Sequence, residues 1–125
     1  MFDGSKEPKE TRIRDIYTVL KENNIDVYLQ GQHQGHCLSP YVVLRSLGES
    51  KLVSYSSTIT TVEIMCYVPI DNPSQMDLFV NLVKEVLKQL RPMLKNAYND
   101  IGDYIDDEIK AVMRTLQYTY YKKIT

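Results

Sequence analysis

The amino-acid sequence predicts an α+β fold, in which a mostly antiparallel sheet of about four strands has helices packed on one face. Residues 58–70 alternate apolar and mixed side chains over a long run, which is typical of a strand with one buried face. Residues 75–90 place apolar side chains at three- and four-residue spacings, which predicts an amphipathic helix. Because the helix follows the strand, it is expected to cover the apolar face of the sheet.

Size and composition predict one folded domain. The chain has 125 residues, of which 43% are hydrophobic and 25% charged, as in an ordinary globular protein. Residues 1–10 are polar and without periodicity, so we expect a flexible N-terminal tail followed by a single α+β domain over 11–125. No apolar run approaches the ~20 residues that a membrane helix needs, and the first ten residues lack a signal-peptide pattern. These features predict a protein that is made in the cytoplasm and has no membrane partner.

Charge and cysteine content narrow the function classes further. Fifteen basic and sixteen acidic residues give a formal charge of −1, which offers no footprint for specific nucleic-acid recognition. The two cysteines, Cys37 and Cys66, lie far apart in the sequence, which favours two reduced thiols over a disulfide.

The first half of the chain predicts a helix and two strands. Residues 11–23 have helical periodicity with Thr11 as N-cap, and the pair Asn23-Asn24 can supply the left-handed residue that ends this helix. Residues 25–30 alternate as a strand, and Pro40 opens a second strand over 40–47.

The next stretch leads into the central strand. Residues 48–57 are rich in serine and fit either a hairpin arm or a loop. The strand at 58–70 has an inward face and an outward face. The inward residues are Val62, Ile64, Cys66 and Val68, and the outward residues are Glu63, Met65 and Tyr67.

The second half predicts a helix, an acidic connection and a last strand. Ser74 and Asp77 suggest a capping box at the start of the helix. Its predicted apolar stripe consists of Phe79, Leu82, Val83, Val86, Leu87 and Leu90. Residues 96–108 include five acidic residues and predict a connection between elements, whereas residues 111–122 alternate as a strand.

Two groups of side chains contain residue types that could serve in catalysis or metal binding. His33, His36 and Cys37 are close enough in sequence to hold zinc or to form a Cys–His nucleophile pair, but a structural zinc site needs a fourth ligand. The acidic run after Asn99 could hold a hard cation, yet it lacks the pattern of a calcium loop. Surface histidines and a solvated acidic loop are the simpler interpretations. We therefore expect no catalytic residues, no metal and no cofactor.

Three blocks of sequence are specific enough to compare with known families. They are DIYTVLKENNIDVYLQGQHQGHCLSPYVVL at 15–44, TTVEIMCYVPIDNPSQMDLFVNLVKEVL at 60–87, and DDEIKAVMRTLQYTYYKK at 106–123. Together they resemble the tail-terminator family of phage and prophage tail-completion proteins. The resemblance implies a non-enzymatic α+β subunit that forms a six-membered ring on the head-proximal end of a tail tube.

Such a ring would end tube polymerisation and join the tail to the head. The resemblance implies as partners further copies of the chain, the tail tube protein, the head–tail connector and, in contractile tails, the sheath protein. It also implies a place in the virion, at the neck of the tail or of a tail-like particle, after assembly in the bacterial cytoplasm. A head-side completion protein of the neck is the alternative, and a small metal- or thiol-dependent enzyme is a more distant one.

The ring hypothesis directs attention to two sets of residues. The chain has ten tyrosines and no tryptophan, and tyrosine is enriched at protein interfaces. The candidate interface residues are Tyr55, Glu63, Met65, Tyr67, Tyr118 and Tyr120. The candidate lining of a DNA-passing lumen is the acidic set Asp100, Asp103, Asp106, Asp107 and Glu108.

Overall fold

The computed structural model describes residues 11–32, 35–51, 57–90, 94–96 and 101–123, and the predicted N-terminal tail lies outside them. The described residues form two α-helices, one short 3-10 helix and six strands, so the α+β class is confirmed. In chain order the elements are α1 (Thr11–Glu22), β1 (Val27–Leu29), β2 (Tyr41–Lys51), β3 (Ser57–Pro69), α2 (Gln75–Leu87), the 3-10 helix Lys88–Leu90, β4 (Leu94–Asn96), β5 (Ile101–Asp106) and β6 (Ala111–Lys123). Neither helix is long and apolar enough to cross a membrane.

The strands form one mixed sheet in the order β1-β2-β3-β6-β4, with β5 also paired to β6. β1 runs parallel to β2 and the other pairs are antiparallel. β4 and β5 share one edge of β6, because β4 pairs with residues 118–120 and β5 with residues 111–115. The sheet therefore has more strands than the four or so predicted. β5 lies within the acidic stretch that was predicted to be irregular, and that prediction was wrong.

The core lies between the helices and one face of the sheet. On β3 the predicted inward residues Val62, Ile64, Cys66 and Val68 are all fully buried, which confirms that face. They form one cluster with the buried sides of both helices. On α2 the buried line is Met76, Val80, Val83, Val86 and Leu87, whereas Leu82 is 49% exposed. The apolar stripe predicted for this helix was thus correct in part. The side of the helix that is buried is turned toward Met76.

The C-terminal end of α1, which leads to β1, and the N-terminal end of α2, which follows β3, differ in how they are capped. α1 ends in a left-handed residue as predicted for the pair Asn23-Asn24, and the residue is Asn24, with φ of 62°. The Ile25 N–H donates to the carbonyl of Leu20 at 3.0 Å, which completes a Schellman motif. At α2 the predicted capping box is absent, because Ser74 has helical backbone angles and its hydroxyl donates to Asn72 Oδ1 instead.

The stretch between the second and third strands extends both of them. β2 continues to Lys51 and β3 starts at Ser57, with Lys51 opposite Thr58 in the antiparallel register. An irregularity in the register lies between Ser46 and Glu49. Of the two predicted alternatives, the described part of this stretch is a hairpin arm, and residues 52–56 lie outside the described chain.

Candidate functional site

The second face of the sheet carries an aromatic cluster and, among the described elements, no helix. Tyr41 lies between Tyr28 and Tyr67 on neighbouring strands. Its ring stacks on Tyr67 with centroids 4.8 Å apart and meets Tyr28 edge-on at 5.7 Å. Burial raises the pKa of Tyr41 and of Tyr67, so both phenols stay neutral at physiological pH.

A loop from the first half of the chain packs over this cluster. Cys37 is buried with Tyr41, Val43 and Ala111 in a second, smaller apolar cluster. The Cys37 N–H donates to the carbonyl of Ile109 at 2.7 Å, which ties the loop to the turn between β5 and β6. Neither cysteine forms a disulfide, and the two pack on opposite faces of the sheet because Cys66 belongs to the helix-covered core.

A polar row crosses the same face of the sheet, next to the aromatic cluster. Arg45, Glu63 and Gln117 are register partners on three adjacent strands. Glu63 is only 6% exposed and forms an ion pair with Arg45, while Gln117 Nε2 donates to its second oxygen at 3.3 Å. The carboxylate of Glu63, predicted to contact a neighbouring subunit, is therefore bonded within its own chain.

The other predicted interface residues fall into three groups. Met65 and Tyr67 lie half-buried on the second face, beside Glu63. Tyr118 is buried in the core under the helices. Tyr120 pairs with Thr60 in the β3–β6 register, and Tyr55 lies outside the described residues. The structure thus brings Glu63, Met65 and Tyr67 together and separates Tyr118 from them.

The predicted acidic set is divided between a strand and a turn. Asp103, on β5, accepts from Arg114 Nε at 2.6 Å, and the same guanidinium donates to Asp77 on α2 at 2.8 Å. These carboxylates raise the pKa of Arg114. Asp106 accepts the Glu108 N–H, and Asp107 and Glu108 are exposed in the turn to β6. Asp100 lies outside the described residues.

The geometry of the described residues does not support a metal site or a nucleophile pair formed by the histidines and Cys37. His36 is exposed, Cys37 is buried, and His33 lies outside the described residues. In the part of the chain that the structure covers, no three His, Cys, Asp or Glu side chains are grouped to hold a metal ion. Burial raises the pKa of Cys37 to about 11, which keeps the thiol protonated at neutral pH and opposes a role as nucleophile.

The Cys37 thiol is expected to react slowly with iodoacetamide at pH 8 and faster as the pH rises toward 11. Since the thiolate is the reactive form, a raised pKa leaves little of it at pH 8. Mass spectrometry of native protein against pH, with urea-unfolded protein as the control, measures the rate. Native alkylation at pH 8 as fast as in the unfolded chain would contradict the burial of this thiol.

Two surface features were not predicted from the sequence. β5 exposes Ile101, Tyr104 and Ile105, with Tyr104 58% exposed, on a strand that is attached to the sheet through β6. An open cleft of about 430 Å³ lies beside Pro69, with Leu38 and Asp71 on its wall. Apolar and aromatic residues that precede a turn and a second strand are a sequence pattern typical of a β-hairpin. The isoleucines and the tyrosine of β5 follow this pattern, but the many carboxylates around them favour an irregular connection.

Fold and surface together define a class: an α+β protein with one mixed sheet, two helices on one face and a partly open second face. A scan against protein-family models found no match, and a search of curated proteins found no significant relative.

Proposed function

We propose that the protein is a non-enzymatic assembly protein that caps the head-proximal end of a phage tail tube. Copies of the chain form a ring that ends tube polymerisation and joins the tail to the head connector. The observation that supports this most is the exposed apolar surface of β5, on Ile101, Tyr104 and Ile105. Apolar edge strands are sites of pairing with other chains, and a subunit in a ring has neighbours to cover them.

The open face of the sheet supports the same proposal. Met65 and Tyr67 lie partly exposed there, beside the row of Arg45 and Glu63. Contacts between unlike surfaces of neighbouring copies, β5 of one and this face of the next, generate closed rings when the rotation closes. Such contacts need apolar and aromatic side chains at the centre and polar residues at the rim.

The resemblance of three sequence blocks supplies the specific partners. The first block covers most of α1, all of β1 and the first four residues of β2. The second covers most of β3 and all of α2, and the third covers the last turn and β6. The ring would contact the tail tube protein on one side and the connector on the other, and the sheath in a contractile tail. Asp106 ends β5, and Asp107 and Glu108 lie in the turn that follows it, which suits an acidic lining of a passage for DNA.

Deleting the gene from a phage or prophage is expected to give tails of uncontrolled length that lack heads. Electron microscopy of the particles measures tail length and attachment. A plasmid copy should restore both, a copy with Tyr104→Asp and Ile105→Asp should not, and a copy with Leu78→Asp on the exposed side of α2 serves as the matched control.

Normal-length tails joined to heads in the deletion strain would refute the proposal. Tails of normal length beside headless necks or leaking heads would instead support the alternative, a head-side completion protein.

A further inference from the structure

Strand β5 is attached to the rest of the fold with little burial of its side chains. Five of its six residues are exposed, and the sixth, Asp106, is partly buried. Its apolar side chains belong to neither core cluster, and Ile105 is 57% exposed. Because burial of apolar side chains is the dominant favourable term in folding, β5 gains little stability from the core.

The backbone pairing of β5 with β6 is interrupted. Residues 104–106 pair in step with residues 111–113, whereas Ile101 pairs with Thr115, so three steps along β5 correspond to two steps along β6. Gly102 lies within this irregularity. An extra residue in one strand disrupts the ladder locally, and glycine loses more conformational freedom on folding than other residues. Both features weaken the pairing.

One side chain of β5 has a strong partner. Asp103 accepts hydrogen bonds from Arg114 Nε at 2.6 Å and from Arg114 Nη2 at 3.2 Å. Two parallel bonds between a guanidinium and a carboxylate fix the geometry of both groups and are stronger than bonds between neutral groups. The third nitrogen of Arg114, Nη1, donates to Asp77 on α2 at 2.8 Å, so the guanidinium is anchored to the helix. The pair of Arg114 with Asp103 therefore holds β5 against β6 and α2.

Strand β6 is fixed in the sheet by its other edge. It pairs with β3 along the whole length of both strands, from Ala111 to Lys123. The side chains of Val112 and Leu116 are buried in the core under the helices. The pairing of β3 with β6 can therefore persist without β5.

We propose that β5 opens away from β6 while the rest of the sheet stays folded, and that the ion pair of Arg114 with Asp103 holds it closed. Elements with few buried apolar contacts open at a lower free energy than the core of the same protein. Opening leaves β6 with an unpaired edge, which is a template for pairing with another chain. The proposal concerns the single chain and does not depend on the ring, which the gene deletion tests separately.

Alternate backbone amides of β6 report on its two edges. The Ile70 N–H donates to the carbonyl of Lys110, so the N–H of the residue after Lys110 points the other way, toward β5. The direction alternates along an antiparallel strand. The N–H groups of Met113 and Thr115 therefore face β5, and we call them the β5-facing amides. Those of the even-numbered residues in 112–116 face β3, and we call them the β3-facing amides.

Hydrogen–deuterium exchange of the native protein, followed by NMR, measures the opening. Each rate is expressed relative to the rate of the same amide in an unfolded chain. The β5-facing amides are expected to exchange at least about tenfold faster than the β3-facing amides, because they need only the local opening. Low concentrations of urea should leave the β5-facing rates nearly unchanged, because urea sensitivity scales with the surface exposed on opening. Equal rates and equal urea dependence in the two sets would overturn the proposal.

The substitution Asp103→Asn tests the ion pair. It removes the charge of the carboxylate with little change in the size of the side chain. It destabilises the closed state relative to both the open and the unfolded states, so both sets of amides are expected to exchange about fivefold faster.

The substitution Ile16→Val is the matched control. Ile16 is 1% exposed on α1, and the core that contains it stays intact when β5 opens. This variant should also speed up the β3-facing amides about fivefold, but it should leave the β5-facing amides unchanged. The proposal is overturned if the β5-facing rates do not change in Asp103→Asn, or if they rise as much in Ile16→Val as in Asp103→Asn.

Discussion

Replacing Leu116 by alanine is expected to lower the free energy of unfolding by about 3 kcal/mol. Leu116 is fully buried on β6, opposite Ile64 in the register, and belongs to the core that both helices cover. Removing its isobutyl group loses apolar burial and leaves a cavity between sheet and helices. Urea unfolding followed by circular dichroism measures the change.

The same substitution at Leu78 is the matched control. Leu78 is 76% exposed on α2, so Leu78→Ala should change the unfolding free energy by no more than about 0.5 kcal/mol. Equal losses at both positions would contradict the assignment of the core to the helix-covered face.

Replacing Arg45 by methionine is expected to cost about 2 kcal/mol of unfolding free energy, because it removes the cation beside a buried carboxylate. The Glu63 side chain is 8% exposed and would keep Gln117 as its hydrogen-bond donor. Adding Glu63→Gln removes the buried charge and should recover most of the loss. A double-mutant cycle by urea unfolding measures the coupling.

An exposed ion pair of the same chain provides the control. Lys88, the first residue of the 3-10 helix, pairs with Glu85 on α2, and half or more of each side chain is exposed. Lys88→Met should cost no more than about 0.5 kcal/mol. If adding Glu63→Gln to Arg45→Met lowers the unfolding free energy further instead of restoring it, the buried ion pair of Arg45 with Glu63 does not stabilise the polar row.

The elements with strong periodicity were predictable from the sequence. β3 has alternating β-branched residues on a half-buried sheet, so pattern alone gave its two faces. The end of α1 was predictable because Asn24 tolerates the left-handed conformation that the Schellman motif requires. These predictions rest on local chemistry, which acts before any tertiary contact forms.

The predictions that were wrong concern elements that depend on contacts with residues far away along the chain. β5 is stabilised by pairing with β6 and by the bond of Asp103 to Arg114, and its own acidic residues disfavour a strand. Asp77 was predicted to support a helix cap, but Arg114, 37 residues away, binds its carboxylate. Likewise, the pairing of Arg45 with Glu63 sets the surroundings of a predicted interface residue. Local pattern contains no information about such partners.

The central pairing of β3 with β6 has a consequence for how fast the chain folds. The paired residues are separated by 42 positions at Pro69 and Ala111 and by 66 positions at Ser57 and Lys123. Closing loops of this length costs chain entropy before the contacts within them stabilise the sheet. The hairpins β2–β3 and β5–β6 are local and can form early, whereas their union is the slow step. Until it occurs, each hairpin presents an unpaired edge to any other chain that is folding nearby.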